Sequence, residues 1–137
     1  MANKAKMKGT TFETATKKFL EEHGFEARRT ALSGSKDIGD LEITKPFLAI
    51  VENKAYKGEL TESQETEFRK QTEVEAVNYK EAFRISEDVK GLFFVKTPGQ
   101  SIARTKVSFF NTRYNCWMSM KLYEFVEHWE DLIDDIR

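Results

Sequence analysis

The chain has 137 residues, 39% of them hydrophobic and 33% charged, and a formal net charge of −1. This length supports one domain with its own core, and the composition excludes a fibrous or wholly disordered chain. A single Cys116 excludes an internal disulfide, His23 and His128 lie too far apart for a zinc motif, and no apolar run forms a signal segment or approaches the ~18 residues of a transmembrane helix, so an intracellular protein without a membrane partner is expected.

Residues 1–9 read as a flexible basic arm and 10–137 as a single domain. Thr10 and Glu13 have capping-box spacing. Phe12, Ala15, Phe19 and Leu20 make an apolar stripe, and Gly24 follows as a stop, which predicts a helix from Thr10 to His23. Phe25 to Ala31 suits a strand, Ser33-Gly34-Ser35 a loop, Gly39 to Thr44 a strand, Lys45-Pro46 a turn, and Phe47 to Ala55 the partner strand. A second capping box, Thr61 with Gln64, opens a long helix to about Arg84. Strands follow at Leu92 to Lys96, Thr105 to Phe110 and Cys116 to Met120. The last helix, Leu122 to Asp135, has a stripe of Leu122, Phe125, Val126, Trp129, Leu132, Ile133 and Ile136. Helix, three strands, helix, strands, helix predicts an α/β or α+β layer sandwich around one sheet. Phe93, Phe94, Phe109, Phe110, Trp117 and Trp129 are expected in the core rather than as stacking platforms.

Charge is uneven along the chain. Residues 1–36 carry eight Lys/Arg against four Glu, and residues 122–137 carry six acids against Arg137. A DNA-binding face opposite an acidic face fits this pattern, and so does plain surface solvation.

The richest stretch runs from Asp40 to Lys54. Asp40 opens one predicted strand, and Glu52-Asn53-Lys54 closes the next. Leu48, Ile50, Glu52 and Lys54 share one strand face, while Phe47, Ala49, Val51 and Asn53 share the other. A three-residue loop, Lys45-Pro46-Phe47, pairs Thr44 with Leu48 and Asp40 with Glu52; a two-residue loop moves Asp40 off that face. Two carboxylates and a lysine converging there suit metal-dependent phosphodiester hydrolysis, because carboxylate oxygens bind Mg²⁺, the metal acidifies its water, and an ammonium stabilises developing negative charge. A surface ion pair at a strand end is the competing reading.

Other residues have weaker claims. Asp37 is a rival acid or a turn residue. Glu13 is either a third carboxylate or only a helix cap, and the sequence does not separate the two. Arg28 and Arg29 face opposite sides of a strand, and one is placed to reach a phosphate. Lys36 and Lys57 extend the positive edge. Gln64, Arg69 and Gln71 lie on the long helix, as DNA contacts or as a polar face. Asp88-Val89-Lys90 fits a looser D-x-K pattern but has no upstream partner acid.

These residues resemble a known group. F-E-x-x-x-x-x-F-L-x-x-x-G-F-x-A-x-R, then S-G, D-I-G-D-L and I-V-E-N-K, covering roughly residues 9–57, are similar to the PD-(D/E)xK nuclease superfamily, in particular to the Holliday-junction resolvases of archaea and phages. The resemblance implies a restriction-endonuclease-like α/β fold, a central mixed sheet flanked by helices. It implies an Mg²⁺- or Mn²⁺-dependent DNA endonuclease, homodimeric, cutting opposed strands of four-way junctions in a nucleoid or phage-infected cytoplasm. Asp40, Glu52 and the Asn53 carbonyl would ligate the metal, Glu13 would complete or support the shell, Lys54 would orient the attacking water, and Ser33 would approach the scissile phosphate. A near-neutral chain with an acidic last helix departs from such resolvases, which are distinctly basic. A nuclease of linear or damaged duplex, and a non-catalytic DNA-binding protein of the same fold, are the alternatives.

Overall fold

Among the described residues, six strands form one sheet in chain order, with helices on both faces. The computed structural model describes residues 4–30 and 38–137, with side chains from Thr11 onward. The elements are α1 (Lys4–Glu22), β1 (Glu26–Arg29), β2 (Leu41–Lys45), β3 (Ala49–Ala55), α2 (Glu62–Ala82), β4 (Lys90–Lys96), β5 (Lys106–Asn111), β6 (Cys116–Lys121) and α3 (Leu122–Leu132). Short 3-10 turns occupy Ile102–Arg104 and Ile133–Asp135. The sheet order is β1-β2-β3-β4-β5-β6. β3 and β4 run parallel and every other neighbouring pair is antiparallel. A parallel pair needs a long crossover, and α2 supplies it. This is the expected α/β class, a mixed sheet flanked by helices.

Alternation along β3 divides the molecule into two sides. Ala49 and Val51 join Phe12 and Leu20 of α1, Leu92, Phe94, Phe109, and Leu122 and Phe125 of α3 in the larger core. Ile50 joins Ala76 and Tyr79 of α2, with Ile38 and Val89, in the smaller one. Phe93, one residue from Phe94, points to the α2 side and meets Phe68 at 5.7 Å. Phe93, Phe94 and Phe109 are fully buried, as expected, while Phe110, Trp117 and Trp129 are half-buried.

The Thr61 capping box forms in both directions: Gln64 N–H donates to Thr61 Oγ1 at 3.2 Å and Thr61 N–H to Gln64 Oε1 at 2.9 Å. The first helix departs from expectation. It begins at Lys4, so residues 4–9 are helical rather than an arm and Thr10 lies inside the helix. The apolar stripe from Phe12 is what the sequence made visible; the polar turns before it carry no such period. α3 closes on its stripe and passes into the turn at Ile133, with Ile136 buried beyond it.

Candidate active site

The β2–β3 register decides where the acids meet. Leu41 pairs with Val51, Glu42 with Ile50 and Ile43 with Ala49. Continued in both directions, this register sets Thr44 opposite Leu48 and Asp40 opposite Glu52, the pairing of the three-residue loop. Asp40 is fixed twice: its N–H donates to the Val51 carbonyl at 3.0 Å, and its Oδ2 accepts from the Asn53 N–H at 2.8 Å. The convergence that the sequence made conditional on that loop is present in the backbone.

Burial then shapes the charges. Glu52 is 4% exposed. Its Oε1 lies 3.3 Å from Lys54 Nζ, and its Oε2 is buried with no hydrogen-bond partner among the described residues. Lys54 Nζ also sits 5.0 Å from the Phe68 ring centroid, so α2 holds the ammonium in place from above. Asp40 is pushed up to about 7, first by burial and then by the negative charge of Glu52. Its bond from Asn53 opposes the rise, Glu13 adds to it, and Lys54 opposes it. Asp40 therefore sits among more negative charge than the adjacent cation offsets.

Among the described residues, no group of three or more His, Cys, Asp or Glu side chains is disposed to hold a metal ion by itself. The pair nonetheless fits a hard divalent cation. A buried, unbonded Glu52 oxygen beside a carboxyl that resists ionisation is an arrangement such a cation relieves.

Glu13 lies within electrostatic reach of Asp40 and accepts from Arg29 at 2.7 Å. With α1 starting at Lys4, the helix-cap alternative for Glu13 falls. Arg29 is thus occupied by a carboxylate, and Arg28, on the opposite face, pairs with Glu42. Glu42 is buried, and Tyr79 beside it is pushed up to about 12 by burial and its hydrogen bond to Glu42. Ser33, Lys36 and Asp37 lie outside the described residues. Lys57 is exposed just after β3. Gln64 is taken up by the cap and by a 2.8 Å bond to the Tyr56 hydroxyl. Arg69 covers Trp117 at 5.3 Å and meets Glu65 at 3.6 Å, and Gln71 is half-buried on α2. Asp88 and Lys90 form a 2.6 Å ion pair with Asp88 largely exposed, away from the carboxylate pair.

Three positions escaped the sequence reading. Thr16, fully buried on α1, accepts from Asn53 Nδ2 at 3.1 Å and donates to the Phe12 carbonyl. Gly39 has φ +89°, and a Cβ there would come within 2.3 Å of Ile50 Cγ2. That glycine lets the chain turn tightly into Asp40. Glu42 shares the parity of Asp40 in an alternating strand, and that parity is the sequence signal for its place on the α2 side.

No protein-family model matches the chain, and no curated protein matches it. Among solved structures, it is similar to Hjc from Archaeoglobus fulgidus, a Holliday junction resolvase from an archaeal hyperthermophile. Identity is 18%, the TM-score is 0.46, and the match covers 85% of this chain and 74% of that one. At this level of likeness, chemistry has to be read from this chain's own residues.

Proposed function

We propose that this protein is a divalent-metal-dependent DNA endonuclease that resolves four-way junctions by paired nicks, acting as a homodimer. The observation that carries the nuclease reading is the gathering of Asp40, buried Glu52 and Lys54 at one hairpin end, with a Glu52 oxygen unbonded. The choice of junctions follows the motif resemblance over residues 9–57. No helix among the described residues is long and apolar enough to cross a membrane.

Asp40 and Glu52 would hold Mg²⁺ or Mn²⁺, joined by the Asn53 carbonyl and supported by Glu13. When bound, the cation supplies a water acidic enough to attack near neutral pH and offsets charge on the phosphate. The chain's own residues prepare the place. The Asn53 N–H orients Asp40. Lys54 keeps a partly exposed ammonium beside Glu52 and over the Phe68 ring, where a phosphate can reach it. Such a fixed cation stabilises charge that grows during the reaction without having to reorganise.

The test is a labelled four-way junction and a matched linear duplex, incubated with Mg²⁺ or EDTA, beside Lys54→Ala. Paired nicks near the branch are expected from the wild type, absent with EDTA and reduced by at least ~10²-fold in the variant while junction binding persists. Equal cutting of both substrates would leave a general nuclease. Binding without cleavage in any divalent metal would leave a non-catalytic DNA-binding protein.

A further inference from the structure

A row of cations leaves the candidate site sideways. Lys54 lies opposite Val95, Val95 opposite Lys106, and Lys106 opposite Lys121. Directly opposed residues in a ladder share a face. The three lysines therefore stand in one line across the α2 side of the sheet, with only Val95 between. Arg104, in the turn entering β5, joins Lys106 and Lys121 around an open cavity of ≈ 470 Å³, whose other charged walls are Glu59 and Glu65.

Packing alone does not account for this. Lysines directly opposite each other on antiparallel strands repel. Lys106 is offset by Glu65 at 2.5 Å, but Glu65 also meets Arg69 at 3.6 Å. Lys121 and Arg104 are exposed, and among the described residues neither has a carboxylate within ion-pair distance. The cavity thus sets three cations, Arg104, Lys106 and Lys121, against two carboxylates, Glu59 and Glu65, and its walls leave positive charge in excess.

We propose that Arg104, Lys106 and Lys121 form a phosphate-binding subsite that carries a DNA strand onward from the phosphate beside Lys54. The proposal rests on the nuclease reading and extends it to the substrate's path. Strands lie ~4.8 Å apart, which sets Lys106 about 10 Å and Lys121 about 14 Å across the sheet from Lys54. With one phosphate per ~3.4 Å of axis on each strand, the row spans roughly three to four nucleotides from the cut. Glu59 and Glu65 border the α2 side of the cavity, so the backbone passes along the sheet side, over β5 and β6.

The experiment is fluorescence anisotropy of a labelled four-way junction and a duplex in EDTA, titrated across salt concentrations. It compares wild type, Lys121→Gln, Lys106→Gln/Lys121→Gln and a remote Lys80→Gln control, each shown to be folded by its thermal melt. Each lost phosphate contact should lower the slope of log affinity against log salt by ~0.9. The double variant should therefore lose nearly two units of slope and bind at least tenfold more weakly, with Lys121→Gln intermediate and the control unchanged. Wild type that binds DNA with the same slope as the double variant would overturn the subsite alone. Wild type that binds no DNA at all would overturn both the subsite and the nuclease reading. Lys121→Gln, whose exposed side chain has no internal ion pair, keeps the test decisive if the double variant fails to fold.

Discussion

The two faces of the sheet are made by the same strands and carry opposite chemistry. Towards α1 and α3 the strands present Leu41, Ile43, Val51, Leu92, Phe94, Val107 and Phe109, all closed over by apolar helix residues. Towards α2 they present Glu42, Glu52, Lys54, Lys106 and Ser108 beside only a small apolar cluster. The α2 side also holds buried polar atoms with no hydrogen-bond partner among the described residues: Glu52 Oε2, Arg69 Nε and Ser108 Oγ. Burying unsatisfied polar atoms costs stability. One face therefore supplies the stability that lets the other hold charge in place, the division expected when a site is built on a rigid scaffold.

Truncation of the apolar face should give the largest effect. Phe109 is fully buried and packs against Phe125, the two rings tilted with centroids 6.2 Å apart. Phe109→Ala should cost ~3–5 kcal/mol in urea unfolding. Ser108→Ala, one residue away on the other face, should be neutral or slightly stabilising, because it removes an unpaired buried hydroxyl. Similar losses from both would erase the distinction between the faces.

Gly39 tests how tightly the scaffold sets the acid. An alanine there must hold a positive φ, which costs about 1–3 kcal/mol, and its Cβ would overlap Ile50 Cγ2 at 2.3 Å. Gly39→Ala should melt lower and lose cleavage together. Full cleavage in a folded Gly39→Ala protein would show that Asp40 does not depend on that turn.

Asp40 should make the charged face visible in a pH titration of stability. The folded chain keeps the Asp40 proton up to about pH 7, whereas an unfolded aspartate releases it near ~3.9. The native state therefore binds more protons between these values. In EDTA, this contribution is fully favourable below about pH 4 and is lost as pH rises towards 7, at up to ~1.4 kcal/mol per pH unit. Asp40→Asn should remove that slope, stabilise the metal-free protein at pH 8 and abolish cleavage. Added Mg²⁺ should stabilise wild type more at pH 8 than at pH 5. A wild-type slope equal to that of Asp40→Asn would refute the assignment.

Much of this was legible in the sequence because it rests on local rules. The period-two pattern of residues 47–54 fixed which side chains share a face, and the loop-length argument narrowed the register to two, of which the structure has the one that brings Asp40 to Glu52. The Thr61–Gln64 box and the α3 stripe are equally local. What stayed hidden depends on distant partners. The pairing of Arg29 with Glu13, and of Arg28 with Glu42, needs α1 and β2 placed around β1. The lysine row needs the registers of three strand pairs at once. Thr16 reads as one more polar residue on a helix until Asn53 is found 37 positions away.

Thr16 gives the smallest expected loss and the finest test of the two-face division. Its hydroxyl joins α1 to the middle residue of the Glu52-Asn53-Lys54 triplet from the apolar side. Thr16→Val keeps the shape, removes the acceptor for Asn53 Nδ2 and should cost ~1 kcal/mol. The Asn53 main-chain N–H, which holds Asp40, is untouched by the change. Cleavage should therefore fall only a few-fold while the melting temperature drops. If cleavage instead falls a hundredfold in a folded Thr16→Val protein, the Asn53 peptide is set from the α1 side. The apolar face would then be part of the catalytic machinery, and the division between scaffold and site would have to be drawn through β3 itself.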